Sequence, residues 1–381
     1  MQFSLGKEKK INFFKALATF TGTIIGVGIF GLPFVAMKAG FLTVLIYFIF
    51  LAFITIVVNR LYGEVACDTQ KVARTPGYVE EYIGSKPKKL SLIITSVSLF
   101  GVLLAYLILG GEFLHLFLAP HFGGSLILYV LIFFLIGIAF IYKGIKSIAG
   151  LQFVMLIIFL AILFFFLYQA TPFINIKNFF TFNSHFAIFP YGIILFSLAG
   201  TALIPEIKEM VNRDRRQLNK IINLGVIIAS FCYLVFILAF LGATGEKTSE
   251  NAIANFALIA GQRIVVVGYI FGLITAFTSF ISLGLTLKKM FHYDFKIPSF
   301  ISWLIACFVP LGLYFIGFRN FLEVIGITGA VLLGIESLII LLIYRMYLKK
   351  RFQRNAPWWI YLISLLFLVG IFLQLFYFFN K

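Results

Sequence analysis

The sequence predicts an all-α membrane protein with about eleven transmembrane helices. Hydrophobic residues make up 62% of its 381 residues, charged residues only 12%, and the mean hydropathy is +1.06. A soluble domain carries about 25% charged residues, so a chain this apolar requires lipid as its solvent. Long apolar stretches recur along the whole chain with short connections between them, which leaves no room for a soluble domain.

The individual helices are predicted from apolar segments of about 20 residues, the length that crosses a bilayer. These spans are 13–37, 41–63, 90–114, 125–142, 149–169, 186–208, 220–242, 263–287, 298–317, 321–345 and 358–379. With the amino-terminus in the cytoplasm, 25 of the 31 Lys and Arg residues fall on the cytoplasmic side. Because basic residues concentrate on that side, we expect a multi-pass protein of the cell membrane with an external carboxyl-terminus.

The composition also argues against other classes of protein. The net charge of +17 comes from short basic clusters between apolar runs, a pattern typical of membrane topology and not of a nucleic-acid surface. The three cysteines lie far apart and form no CxxC pair, so neither a disulfide framework nor a zinc site is expected. We expect no cofactor; the expected partners are the lipid bilayer and a small-molecule substrate.

An internal repeat divides the chain. The motif GIFGLP from Gly28 in span 1 matches GTALIP from Gly200 in span 6, at an offset of 172 residues, and FGVLLAY in span 3 matches FGLITAF in span 8 at an offset of 171. Because five spans is an odd number, the second copy is inverted in the membrane. We therefore expect one membrane transporter domain, with a first repeat over 1–169, an inverted repeat over 186–345 and an extra helix over 358–379.

The two Gly-Pro segments predict breaks in helices 1 and 6. Gly and Pro disfavour a helix interior by about 1 and 3 kcal/mol relative to Ala. Unpaired backbone at mid-membrane is tolerated only where protein buries it or where it lines a cavity, so matching breaks indicate a site between them. Free N–H groups at such a site suit a carboxylate, and free carbonyls suit a cation or an ammonium group. The alternative interpretation of the glycines is close helix packing.

Four segments carry a resemblance to a known family. GTIIGVGIFGLP, FGVLLAYLILGGEFL, FSLAGTALIPEIKEM and TAFTSFISLGL resemble spans 1, 3, 6 and 8 of the amino acid/auxin permease family. The resemblance is closest to the prokaryotic aromatic amino acid permeases, within the amino acid–polyamine–organocation superfamily, and covers nearly the whole chain. It implies a five-plus-five inverted-repeat fold and ion-coupled import of neutral amino acids, aromatic ones among them, by alternating access.

The resemblance also implies a substrate site. The backbone N–H groups of Gly26, Val27 and Gly28 would bind the substrate carboxylate. The ammonium group and the side-chain pocket would lie against the break in span 6, at Phe196, Ser197, Leu198, Ala199, Gly200 and Thr201. Tyr106 of span 3 is expected to face the same centre; its alternative role is packing in an aromatic-rich core, although a buried phenol needs a hydrogen-bond partner.

Sodium and protons are both open as the coupling ion. Thr278 and Ser279 match the two hydroxyl ligands of sodium-coupled relatives, and the carbonyls of Gly22 and Ile25 would complete such a site. The alternative is that both hydroxyls bond to their own helix. Glu336, at mid-depth in span 10, is the most isolated intramembrane acid, and it is interpreted as a proton site or as a structural acid.

Two further acids lie toward the cytoplasmic side. Glu206 directly follows Pro205 and is expected to serve the inner gate. Glu64 follows Arg60 by four residues at the end of span 2, which predicts a surface ion pair along one helix.

Three other functions are compatible with parts of the sequence: a carrier of another small amine or ion, a membrane-embedded enzyme, and an amino acid sensor that does not transport. A metal-ion carrier needs acidic, amide or sulfur side chains at both breaks, and GVGIF and SLAGT contain none. The spans contain no HExxH motif and no Ser/His/Asp constellation, so no enzymatic activity is expected. A sensor stays open, although no signalling domain accompanies the spans.

Overall fold

The computed structural model describes residues 2–70, 73–144 and 148–380, and these residues form helices without any strand. The helices are α1 (Gln2–Ile24), α2 (Gly28–Ala39), α3 (Phe41–Asp68), α4 (Thr75–Tyr82), α5 (Ser85–Phe122), α6 (Leu126–Lys143), α7 (Ile148–Ala170), α8 (Pro190–Ser197), α9 (Ile204–Met210), α10 (Arg215–Thr244), α11 (Ile253–Ala260), α12 (Gln262–Tyr293), α13 (Ser299–Ile316), α14 (Phe321–Ile327), α15 (Gly334–Phe352) and α16 (Trp358–Phe379).

These helices make up to eleven membrane crossings, which confirms the predicted number. Ten crossings are long, apolar helical segments, and the bent pair α1 and α2 makes the eleventh. The segments α8 with α9, and α14 with α15, each form one crossing that irregular turns interrupt. Two short helices, α4 and α11, lie outside the crossings, after the second and the seventh. They occupy equivalent places in the two repeats.

The first break lies between Ile24 and Gly28, where the axes of the two half-helices differ by 48°. The N–H of Gly26 donates to the carbonyl of Ile24 at 2.7 Å, so the backbone turns back on itself and leaves the i to i−4 ladder. The ladder resumes in α2, whose interior accommodates Pro33. This is the interruption that the glycine-rich segment predicts.

The second break follows Ser197, the last residue of α8. A 3-10 turn over Thr201–Leu203 leads into α9. Pro205 lies in the first turn of α9, where its missing N–H removes no helical hydrogen bond. Helices 1 and 6 are therefore both discontinuous, as predicted.

A third irregularity was not predicted from the sequence. A π-helical turn over Thr328–Leu333 separates α14 from α15 in span 10. Such turns are rare and are frequent at functional sites. Here the turn directly precedes Glu336, the acid singled out by the sequence.

The crossings pack in two groups. The broken spans 1 and 6 pack with α3 and α10, while α5 and α6 pack with α12 and α13. We call the face of the bundle that carries the connections at 68–85, 210–215 and 293–299 the amino-terminal face, and its other end the opposite face. The two breaks lie near the middle of the bundle, beside α5.

Candidate functional site

The two broken spans touch each other at their breaks. A Cβ added to Gly28 would overlap the hydroxyl of Ser197, and one added to Gly200 would lie 2.9 Å from the ring of Phe20. Any larger residue at either glycine would displace the side chain of Ser197 or Phe20, so both glycines allow the close approach seen here. The sequence allows two alternative roles for the glycines, close helix packing and a break in the helix. In the structure Gly28 and Gly200 have both roles, because they pack closely at the place where the two breaks meet. Gly31 differs, since it packs against Leu322 of α14.

A small cavity of about 50 Å³ lies at this contact. It is lined by both broken spans and by residues of α5, α12 and span 10. The expected substrate residues that line it are Gly26, Tyr106, Phe196, Ser197, Ala199, Gly200 and Thr201. Val27, Gly28 and Leu198 adjoin it in the chain but are not among its lining residues.

The helix ends around the cavity carry charges of both signs. α1 ends at Ile24 and α8 ends at Ser197, and the last carbonyls of a helix lack helical partners and carry partial negative charge. α2 begins at Gly28, and its first N–H groups carry partial positive charge. The site can therefore bind an ammonium group and a carboxylate a short distance apart.

Tyr106 projects from α5 onto the first break. Its side chain is buried, and its hydroxyl lies beside the hydroxyl of Ser279 and the N–H of Val27. A Cβ on Gly26 would overlap that hydroxyl. The phenol thus has polar partners at the break itself, as its proposed location at the site requires.

Tyr233 of α10 also reaches the breaks, and it was not predicted from the sequence. Its hydroxyl lies 2.6 Å from the carbonyl oxygen of Ile24 and 2.8 Å from that of Ser197. Nothing in the surrounding segment SFCYLVF distinguishes this tyrosine from the other 16 in the chain. Only the three-dimensional arrangement identifies it.

The residues expected to bind sodium are only partly brought together. Gly22, Ile25 and Thr278 line a second cavity, of about 30 Å³. The hydroxyl of Thr278 donates to the carbonyl of Ile274 at 2.9 Å, which is the helix-bonded alternative considered above. Ser279 does not line this cavity and lies instead beside Tyr106.

Glu336 lies in the wall of the cavity at the two breaks, with 6% of its surface exposed. It also lines a neighbouring cavity of about 20 Å³ together with Asn59 and Thr201, whose side chains are hydrogen-bonded at 2.9 Å. One carboxylate oxygen of Glu336 accepts from Thr75 at 3.4 Å, and Thr75 is hydrogen-bonded to Tyr62 at 3.2 Å. The acid therefore connects the cavity with the first residue of α4.

Glu206 forms an ion pair with Arg74, the residue before α4, at 2.6 Å. Burial raises the pKa of the Asp294 carboxyl, and the charge of Arg74 opposes that shift, so Arg74 faces two acids at the amino-terminal face. The predicted pair of Glu64 with Arg60 is wrong. Glu64 instead pairs with Arg215 of α10 at 2.5 Å, because its carboxylate points across to the neighbouring helix.

Metal binding by a cluster of side chains has no support in the part of the chain that the structure describes. Within those residues, no group of three or more His, Cys, Asp and Glu could hold a metal ion.

Comparisons with known proteins agree with this architecture. Glutamine transporter 2 of Aliivibrio fischeri is 23% identical over 331 residues, which are 82% of this chain and 83% of the relative. Mhp1, a nucleobase-cation-symport-1 family transporter with bromovinylhydantoin bound, matches with a TM-score of 0.71 at 14% identity, over 92% of this chain and 80% of its own. MhsT in complex with L-phenylalanine matches with a TM-score of 0.64 at 15% identity, over 96% and 98%.

These structural likenesses show the fold, a helical transporter fold with inverted repeats. The model of the Tryptophan/tyrosine permease family matches residues 9–377, nearly the whole chain. A family of permeases moves solutes across membranes, which agrees with broken spans that meet at a buried cavity and with the expectation that the protein is not an enzyme. The chain belongs to the tryptophan/tyrosine permease family and is a multi-pass membrane transporter.

Proposed function

We propose that the protein imports neutral amino acids, aromatic ones among them, by ion-coupled alternating access across the cell membrane, with its amino-terminus in the cytoplasm. The observation that carries this proposal is that the carbonyl ends of α1 and α8 line a single cavity, next to the N–H end of α2. A zwitterion matches both signs of that backbone charge. The names of the family and of the relatives, which refer to tryptophan, tyrosine and glutamine, support the same substrate class.

In this proposal the N–H groups of Gly26, Val27 and Gly28 bind the carboxylate, and the N–H of Gly26 leaves the carbonyl of Ile24 when the substrate binds. The carbonyls at the break in span 6 bind the ammonium group, and Phe196, Gly200 and Tyr106 border the side chain. The repeats over 1–169 and 186–345, with the extra helix over 358–379, form one transporter domain.

The cavity in this conformation is too small for an aromatic amino acid. About 50 Å³ is the room of one or two water molecules, and pockets for small organic ligands measure roughly 300 Å³ or more. A tryptophan or tyrosine therefore enters only if the two groups of spans move apart on one face. Binding and opening are then parts of the same step.

For the coupling ion we propose a proton at Glu336, since this acid lies in the substrate cavity and contacts α4 through Thr75. An intramembrane acid that faces a cavity is the usual kind of proton site in transporters. Sodium is the second candidate, because Gly22, Ile25 and Thr278 line one cavity. Oxygen ligands of this kind suit a hard cation.

Uptake by proteoliposomes tests substrate and ion together. With labelled L-tryptophan, L-tyrosine, L-phenylalanine, L-glutamine and L-leucine under a fixed inward proton gradient, we expect the highest uptake for the aromatic residues. Replacing sodium by choline is expected to leave the rate within about twofold. If choline abolishes uptake in the wild type and Thr278→Ala reproduces that loss, sodium is the coupling ion. A chain that binds amino acids but shows neither uptake nor exchange would instead be a sensor.

Breaking the Arg74–Glu206 pair is expected to open the amino-terminal face. A partly exposed ion pair of this kind contributes up to about 1 kcal/mol, so Arg74→Gln should raise access to the cavity about fivefold. The measurement is the rate at which a thiol reagent modifies Ala202→Cys, a cavity position, in inside-out vesicles and in a background without Cys67, Cys232 and Cys307.

Lys88→Gln is the matched control for this measurement, since it removes an exposed ion pair with Glu80 on the same face. We expect no change in that control. The exchanged pair Arg74→Glu with Glu206→Arg should return the labelling rate toward the wild-type value. Equal rates in wild type and Arg74→Gln would show that this ion pair is no gate.

A further inference from the structure

Tyr233 occupies a position that no substrate contact explains. Its side chain is fully buried on α10, and its hydroxyl is hydrogen-bonded to the carbonyl oxygens of Ile24 and Ser197. These are the last residues of α1 and α8, and both line the substrate cavity. Tyr233 does not line it, so its hydroxyl reaches the two breaks from behind.

The electrostatics of this contact need a donor between the two carbonyls. Each of the two half-helices ends in partial negative charge, and their terminal carbonyls both lie within 2.8 Å of one phenol oxygen. Without the phenol proton, two negative helix ends would face each other in a buried site. Such an arrangement is costly where water is excluded.

A phenol has one proton, so at any moment it donates to only one of the two acceptors. The carbonyl of Ile24 also accepts the N–H of Gly26 at 2.7 Å, which leaves the phenol proton available to Ser197. The hydroxyl can move its proton between Ile24 and Ser197 by rotating, without any movement of the ring.

We infer that Tyr233 is a positioning residue that ties the broken ends of spans 1 and 6 together and holds the carbonyl oxygen of Ser197 for the ammonium group of the substrate. A carbonyl oxygen has two lone pairs. The oxygen of Ser197 can therefore accept from Tyr233 on one side and from a ligand on the cavity side, whereas the oxygen of Ile24 already accepts from both Tyr233 and the N–H of Gly26. The assignment of the ammonium group rests on the proposed function, whereas the tie between the two spans does not.

Hydrogen–deuterium exchange of the full-length protein in nanodiscs tests the tie without any substrate. Tyr233→Phe keeps the ring and removes only the hydroxyl. Since a buried hydrogen bond stabilises by about 1 kcal/mol, we expect exchange about fivefold faster or more in both segments, 22–28 and 196–202. Tyr129→Phe is the matched control, because its hydroxyl also donates to a backbone carbonyl, that of Gly123, but near the opposite face.

Unchanged exchange in Tyr233→Phe would overturn the tie, and so would faster exchange at only one of the two breaks. A variant that fails to fold would show faster exchange in every helix. A Tyr233→Leu variant in nanodiscs, whose side chain has no hydrogen-bond donor, would then repeat the comparison of the two breaks against the rest of the chain.

The role toward the ammonium group is tested by transport of L-phenylalanine in proteoliposomes. Tyr233→Phe is expected to raise KM about tenfold and to leave kcat within about twofold, while Tyr129→Phe changes neither. A second readout is inhibition of L-phenylalanine transport by 3-phenylpropionate, which lacks the amino group. Its inhibition constant should be the same in Tyr233→Phe and in the wild type. An equal loss for both compounds would overturn the ammonium role. Wild-type protein without any amino acid transport would refute the proposed function, while the exchange result would still decide the tie.

Discussion

Gly26→Ala is expected to reduce amino acid uptake about 100-fold. The added methyl group would overlap the hydroxyl of Tyr106 and lie 3.0 Å from the ring carbon that carries it. Overpacking a tight site costs about 1–3 kcal/mol, and the upper end of that range is a factor of about 100. Since Gly26 also lines the cavity, the methyl group occupies substrate space as well.

The double variant Gly26→Ala with Tyr106→Phe separates the steric effect from a general loss of fold. Removing the hydroxyl removes the shortest overlap and leaves the contact of 3.0 Å, so we expect about a tenfold recovery of uptake. Gly312→Ala is the control, because a Cβ there meets nothing within 4 Å. Uptake should match wild type. If Gly26→Ala transports normally, the first break does not form the substrate site.

The sequence predicts the crossings well because the bilayer imposes a length and an apolar composition on each of them. The sequence also predicts the helix breaks at Gly28 and Gly200 well. Glycine and proline interrupt a helix where they occur, so the cause of each break lies in its own segment. Both requirements act within a single segment of chain. The predicted crossings and breaks therefore agree with the structure.

Side-chain partners are different, because they depend on contacts between distant segments. The hydroxyl of Tyr233 meets Ile24 at a separation of 209 residues, and Arg74 meets Glu206 at 132. No periodicity within one helix records such a contact. A shorter-range error has the same origin: Glu64 is spaced for a pair along its own helix but finds Arg215 on a neighbouring helix.

The predicted ion site divides for a geometric reason. Consecutive residues of a helix point in directions about 100° apart. Thr278 therefore reaches the cavity of Gly22 and Ile25, while Ser279 is directed toward Tyr106. Both hydroxyls would bind one ion only if Ser279 left Tyr106 for the cavity of Thr278. The acid at position 336 needs no such change to face the cavity.

Glu336→Gln is expected to abolish accumulation of amino acid against its gradient while exchange of labelled for unlabelled substrate continues. The amide keeps the shape of the side chain and its hydrogen bond from Thr75, but it cannot take up and release a proton. Accumulation should fall from at least about tenfold, the ratio that a proton gradient of one pH unit supports, to equal concentrations on both sides. The measurement compares accumulation with counterflow in the same proteoliposomes.

Glu112→Gln is the matched control, because this acid is hydrogen-bonded to Asn251 at 2.7 Å and does not line the cavity. It should leave accumulation unchanged. Counterflow exchanges one substrate molecule for another and needs no proton gradient. Loss of both accumulation and counterflow in Glu336→Gln would therefore assign the acid a structural or substrate-binding role. If that variant accumulates substrate fully and requires sodium, the coupling ion is sodium and its site is the one at Thr278. The comparison works because Glu336 and Thr278, the residues proposed for the two candidate ions, line separate cavities, so that each can be substituted without touching the other.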